Sequence, residues 1–226
     1  KKTVHHKWGV STAILTGDAM LSIALKHLHD NYNVNCDISG IFIEGLLAVC
    51  EGQALDKEFE TYEDVSVEEY LEMIDLKTGY LLGMSAEIGA KTAGTDIHTL
   101  KQLMNYGRLI GRAFQIQDDL MEIFSNSNKM GKSLESDIIL GKKTYLIILA
   151  QGKYKDEIEP AISITEKNYK EGLTKIREIL VKTGIKEKAQ NTITETISEA
   201  NKILNSLNIQ IDDLLFFRNL ISGRGN

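Results

Sequence analysis

A single proline, Pro160, stands in a chain of 226 residues, where average usage of about 5% predicts roughly eleven. Proline ends helices and punctuates loops, so its near-absence favours long helices over a sandwich or barrel of short strands. The apolar periodicity agrees. Residues 10–29 read as one helix, with Ala13, Ile14, Leu21, Ala24, Leu25 and Leu28 at helical spacing. Residues 38–55 read as a second, ending in the polar turn Glu51-Gly52-Gln53. Ser66-Val67-Glu68-Glu69 has the form of a capping box and predicts a third helix running to about Thr92. A fourth spans residues 96–125, with Leu100, Leu103, Met104, Gly107, Gly111 and Phe114 on one face. Residues 126–136 are a polar run of turn formers, and helix is expected to resume near Gly141. From Tyr154 to Leu220 the chain reads as amphipathic helices separated by Gly172 and Gly184. With no internal repeat and no linker, residues 1–226 are expected to form one all-α domain, a helical bundle.

The formal net charge of −6 comes without the basic stripe that supplies most of the affinity of a duplex-binding protein, which argues against a nucleic-acid partner. Cys36 and Cys50 have neither metal-ligand spacing nor a CxxC pairing. They read as small buried apolar side chains and fit a reducing cytoplasm. No secretory signal and no apolar run near the ~20 residues of a membrane span is read from the pattern.

The segment that carries chemistry is Phe114-Gln115-Ile116-Gln117-Asp118-Asp119-Leu120-Met121-Glu122. On a helix Gln115, Asp118, Asp119 and Glu122 share one face, and the apolar stripe through Gly107, Gly111 and Phe114 runs directly onto Asp118. Carboxylates on a core-facing stripe cost several kcal/mol unless a counter-charge meets them. Carboxylate oxygens on successive turns suit a hard cation such as Mg²⁺, which favours carboxylates, waters and phosphates. The competing reading is a solvated acidic face, which the dipole at a helix C-terminus disfavours. Lys132 and Lys142, with Asp137 between them, return cationic charge towards the acids, a pattern suited to a metal and phosphate site. Gly131-Lys132-Ser133 is not a P-loop, because residue 126 is Asn where that motif needs Gly and a helix precedes it where a strand should. In the third helix Lys77-Thr78 falls on the apolar face, so Lys77 either snorkels outwards or meets an anion. Gly79, Gly83, Ala86 and Ala90 follow it. They either admit another helix closely or leave room for an elongated apolar ligand.

In this order the motifs resemble those of the trans-isoprenyl diphosphate synthases, the geranylgeranyl, farnesyl and longer polyprenyl diphosphate synthases. Thr3-Val4-His5 with Trp8-Gly9 is similar to the stretch after that family's first aspartate-rich motif, and residues 13–19 to its next helix. Gly52-Gln53-x-x-Asp56 resembles its GQxxD, and Lys77-Thr78-Gly79 its KTG. Phe114-Gln115-x-x-Asp118-Asp119-x-x-Glu122 is similar to its second aspartate-rich motif, with Glu122 where the family usually has Asp. The likeness extends to about residue 150 and then fades.

The resemblance implies a prenyltransferase that condenses isopentenyl diphosphate with an allylic prenyl diphosphate, using Mg²⁺, as a cytoplasmic homodimer. It implies metal ligation by Asp118, Asp119 and Glu122, and diphosphate contacts from Lys77, Lys132 and Lys142. Thr78 and Gln115 would line the reacting end, with Lys77 and Asp118 carrying the catalysis. His5 takes no ligand role, and Asp18 and Asp56 are expected to be structural. The first aspartate-rich motif and its arginines are expected upstream of Lys1. Two alternatives stay open: a class I terpene synthase, although no Asn/Ser/Glu metal triad is present, and a non-catalytic regulatory subunit, although DDxxE is nearly intact.

Overall fold

The computed structural model describes residues 2–31, 38–125, 142–207 and 214–215. The described residues are helical and contain no strand. In chain order the helices are α1 (Val4–Trp8), α2 (Val10–Asn31), α3 (Ile38–Phe59), α4 (Val67–Ile74), a π-turn (Asp75–Gly79), α5 (Tyr80–Thr92), α6 (Ile97–Phe124), α7 (Tyr145–Lys167), α8 (Tyr169–Lys182) and α9 (Ile185–Ser206).

The organising element is α6, 28 residues long, or about 42 Å at 1.5 Å per residue. Asp96 caps its first turn by accepting from the amides of His98 and Thr99 at 2.9 and 3.0 Å. Its far end is held by Arg177 of α8, whose guanidinium donates to the carbonyls of Ile123 and Ser125. That cation answers the negative end of a helix whose last turns already carry acids. Between these ends Leu103, Ile110, Ala113, Ile116, Leu120 and Ile123 are buried, and α5 and α9 pack along the helix.

α4 begins at the expected capping box. The Ser66 hydroxyl accepts from the Glu69 amide, and the Glu69 carboxylate accepts from the Ser66 amide at 2.8 Å. Several boundaries differ from the sequence reading. The third helix is interrupted by the π-turn, and the second reaches Phe59. Residues 142–144 are not helical, so α7 starts at Tyr145 rather than near Gly141. α7 is broken at Tyr154, where φ is −130° and ψ 35°, and Pro160 sits in its second half. Gly184 does separate helices, in the left-handed conformation at φ 71° that glycine adopts freely. Gly172 does not, because the break falls at Asn168. A Cβ on Gly172 would lie 2.6 Å from the Thr165 amide nitrogen, so this glycine serves the tight return of α8 onto α7.

Cys50 is exposed on α3, which corrects the expectation of a buried thiol; Cys36 lies outside the described residues. Among the described residues α3 is long and apolar enough, by length and composition, to cross a membrane. In this structure it packs against α5 and the π-turn.

Candidate active site

Three backbones meet where the site is built, and glycines let them meet. A Cβ on Gly52 of α3 would stand 2.3 Å from the backbone nitrogen of Lys77 and 2.7 Å from its Cα. A Cβ on Gly111 of α6 would stand 2.7 Å from the Cα of Gly79 and 3.0 Å from the carbonyl oxygen of Thr78. Real Cβ atoms do not approach backbone so closely. The π-turn carrying Lys77 and Thr78 is thus clasped between α3 and α6 at positions where no side chain fits. π-turns of this kind are rare and cluster at functional sites.

The clasp brings together motifs far apart in the chain. Lys77 Nζ donates to Asp56 Oδ2 at 2.7 Å, and Gln53 Nε2 donates to the same oxygen at 3.3 Å. Lys77 therefore meets an anion and does not snorkel. Asp56, read from sequence as structural, pairs with Lys77 and lines a cavity with it. Thr78 Oγ1 donates to Gln115 Oε1 at 3.2 Å, and Gln115 Nε2 donates to Asp119 Oδ1 at 3.3 Å. Asp119 is 5% exposed, and its other oxygen accepts from the Tyr70 hydroxyl and, at 2.8 Å, from the Tyr145 amide. Burial pushes the Asp119 carboxyl up to about 6, against the pull of its three hydrogen bonds. Burial and the neighbouring Asp119 charge likewise raise the Tyr70 phenol.

Of these residues Asp56, Tyr70, Lys77, Gln115 and Asp119 line a cavity of about 70 Å³ whose walls also include Glu122, Lys142 and Lys143. It holds Asp56, Asp119 and Glu122 opposite Lys77, Lys142 and Lys143, charges of both signs around a space for a polar group. Asp118 is half-buried beside it and does not line it. Lys132 lies outside the described residues, as do Gly131 and Asp137. Tyr70 and Tyr145 were missed as site residues. Tyr70 stands one heptad before Lys77 on the apolar stripe, a signal indistinguishable in sequence from core packing.

Among the described residues no three His, Cys, Asp or Glu side chains converge tightly enough to cage a metal. Asp119 spends its oxygens on Tyr70, Tyr145 and Gln115, while Asp118 and Glu122 stand one helical turn apart on α6. Such a donor set fits a cation that arrives with ligands of its own rather than one held by protein alone. Mg²⁺ behaves this way, keeping waters and binding through one or two carboxylates plus substrate phosphates.

A second cavity, of about 390 Å³, opens between α5 and α6, with Leu82, Ala86, Gly89, Ala90, Leu103 and Gly107 on its walls. The small residues of the π-turn and α5 therefore serve both of the uses the sequence allowed. Gly79 and Gly83 admit α6, since a Cβ on Gly83 would reach the Met104 carbonyl at 2.8 Å. Ala86 and Ala90 line an apolar space.

The bundle thus holds an acid- and lysine-lined polar pocket and, nearer the start of α6, an apolar cavity. The family model described as polyprenyl synthetase matches residues 1–181, and the chain belongs to that family. The match reaches some thirty residues beyond the point where the motif likeness fades. The chain is similar to a geranylfarnesyl diphosphate synthase of Natronomonas pharaonis, 40% identical over 152 residues, 66% of this chain and 44% of the relative. It is similar to a short chain isoprenyl diphosphate synthase of Methanothermobacter thermautotrophicus, 34% identical over 208 residues, 90% of this chain and 64% of the relative. Among solved structures it superposes on geranylgeranyl pyrophosphate synthetase from Pyrococcus horikoshii with a TM-score of 0.87 at 33% identity, covering 98% of this chain and 70% of that one. The chain thus spans between 44% and 64% of the length of these two curated relatives.

Proposed function

We propose that the protein condenses isopentenyl diphosphate with an allylic prenyl diphosphate, extending a trans-prenyl chain head to tail. The observation that carries this reading is the convergence of Lys77, Gln115, Asp119, Glu122 and Lys142 on one polar cavity, in a bundle whose α5 and α6 also enclose an apolar one. Lys77 and Lys142, with Lys132 from outside the described residues, bind the diphosphate of the allylic substrate. Thr78 and Gln115 orient its first carbons. Asp118 and Glu122 are the residues that would hold Mg²⁺, and Asp119 anchors this end of α6 through Tyr70, Tyr145 and Gln115. Bound there, the metal would supply charge to the departing diphosphate. The lysines add preorganised positive charge to the same group, which is worth most in a dry pocket. The allylic C–O bond breaks, the double bond of isopentenyl diphosphate attacks the allylic cation, and a proton leaves the product. Apolar walls such as Leu82 and Ala86 keep water from quenching the cation.

The 226 residues are proposed as one helical unit of such a synthase, working in the cytoplasm as a homodimer. The exposed side chains of Val10, Ile14, Leu15, Met20 and Ile23 on α2 support a protein contact on that helix. The test of the reaction is Asp118→Ala in the full-length protein. A Mg²⁺-dependent condensation assay should lose at least ~10²-fold in turnover, and near-wild-type activity would sink the assignment.

A further inference from the structure

Asp75 is a buried carboxylate that the reaction does not use. It opens the π-turn, is 4% exposed, and faces away from the polar cavity onto α6. Both oxygens are taken. The Arg108 guanidinium grips them in a two-pronged pair, with Nε on Oδ1 at 3.2 Å, and Arg112 Nε stands 3.3 Å from Oδ1. Arg108 is fixed in turn by the Tyr80 ring, 4.5 Å beneath its guanidinium carbon. Gly79, one π-turn on from Asp75, is bare, and a Cβ there would lie 2.6 Å from Asp75 Oδ1. The local sequence is shaped around this carboxylate.

The π-turn explains what the grip is for. Asp75 and Lys77, two residues apart in the π-turn, face different neighbours, Asp75 the arginines of α6 and Lys77 Asp56 of α3. Pinning Asp75 to α6 therefore aims Lys77 at Asp56 on α3. A π-turn holds one residue more than the α-helical register allows. Without the pin, the aim of Lys77 would rest on the backbone contacts of the turn with Gly52 and Gly111 alone. Gly52 closes the opposite side, where its hydrogen lies against the Lys77 backbone.

We infer that Asp75, clamped by Arg108 and Arg112, is a positioning residue that holds the π-turn in register and so presents Lys77 to the diphosphate. This rests on the reading of Lys77 as a diphosphate ligand.

The test is a double-mutant cycle in the full-length protein, using titration with a non-reactive allylic thiolodiphosphate in Mg²⁺ and steady-state kinetics. K77A should weaken binding of the analogue at least tenfold. D75N, which keeps the shape and removes the charge, should weaken it by a similar factor and raise KM for the allylic substrate. The double variant should bind no more than threefold more weakly than K77A alone, because a misdirected lysine and an absent one are equivalent. A residue that only stabilises the fold would lower the melting temperature, and its loss would multiply with that of K77A. Analogue binding unchanged in D75N, or losses that multiply, would overturn the inference while leaving Lys77 a ligand. Unchanged binding by K77A would overturn the ligand assignment and the inference with it. If D75N does not fold by circular dichroism, R112Q removes only the outer arginine and carries the same comparison.

Discussion

Gly111→Ala puts the clasp around the π-turn to a quantitative test. The added methyl would lie 2.7 Å from Gly79 Cα, 2.9 Å from its nitrogen and 3.0 Å from the Thr78 carbonyl oxygen. Carbon atoms pack at about 3.5–4.0 Å, so α6 and the π-turn would have to part by roughly 0.8–1.3 Å. All three neighbours are backbone atoms, which no rotamer change can move aside. Overpacking of this kind costs about 1–3 kcal/mol, offset by the roughly 1 kcal/mol by which alanine outdoes glycine in a helix. The same displacement stretches the Thr78–Gln115 hydrogen bond, already 3.2 Å, beyond its useful range, at a further cost of about 1 kcal/mol. The expected net loss is about 1–3 kcal/mol, measured by urea unfolding. Because the shift lands on Thr78, kcat/KM should fall further than stability does, towards the ~10²-fold that a 1 Å misplacement can cost. Gly17→Ala is the control. Gly17 is exposed in α2, a Cβ there meets nothing within 4 Å, and the variant should gain about 0.5–1 kcal/mol. A Gly111→Ala protein as stable and active as wild type would refute the close approach of α6 to the π-turn.

Asp119 yields a pH signature in metal-free protein. Its carboxyl is raised to about 6 in the folded state from about 3.9 unfolded, so between those values the folded state binds more protons. Stability should then fall as pH rises through that window, by about 2 kcal/mol from pH 4 to 6, and Asp119→Asn should lose that slope; parallel unfolding curves from pH 4 to 7 in chelator would contradict it. Arg177→Ala removes charged donors from the carbonyls of Ile123 and Ser125 and should cost about 1–3 kcal/mol, with hydrogen exchange speeding up first in the last turn of α6. A protein of residues 1–226 alone should fold, by circular dichroism, yet incorporate no labelled isopentenyl diphosphate, since Mg²⁺ binds weakly to so few carboxylates; turnover would show that no second acid cluster is needed.

Much of this molecule was legible one helix at a time. The long helices and the Ser66 cap follow from i→i+4 bonding and a 3.6-residue apolar period, which are local and written in consecutive residues. The resemblance of the motifs to the prenyl synthases was legible for a related reason: each motif is a short run. What each motif touches was not. The bonds that make the site join Lys77 to Asp56, Thr78 to Gln115 and Tyr70 to Asp119, across 21, 37 and 49 residues of chain. Only the packing of three backbones decided that Asp56 faces Lys77, and that Asp119 turns inwards to two tyrosines while Asp118 stays at the flank. The same packing split the small residues of α5 between a helix contact and a cavity. Local periodicity says which side of a helix is apolar, but the distance between two helices depends on every side chain between them. Here that distance is set by Gly52, Gly79 and Gly111, whose role lies in the side chains they lack.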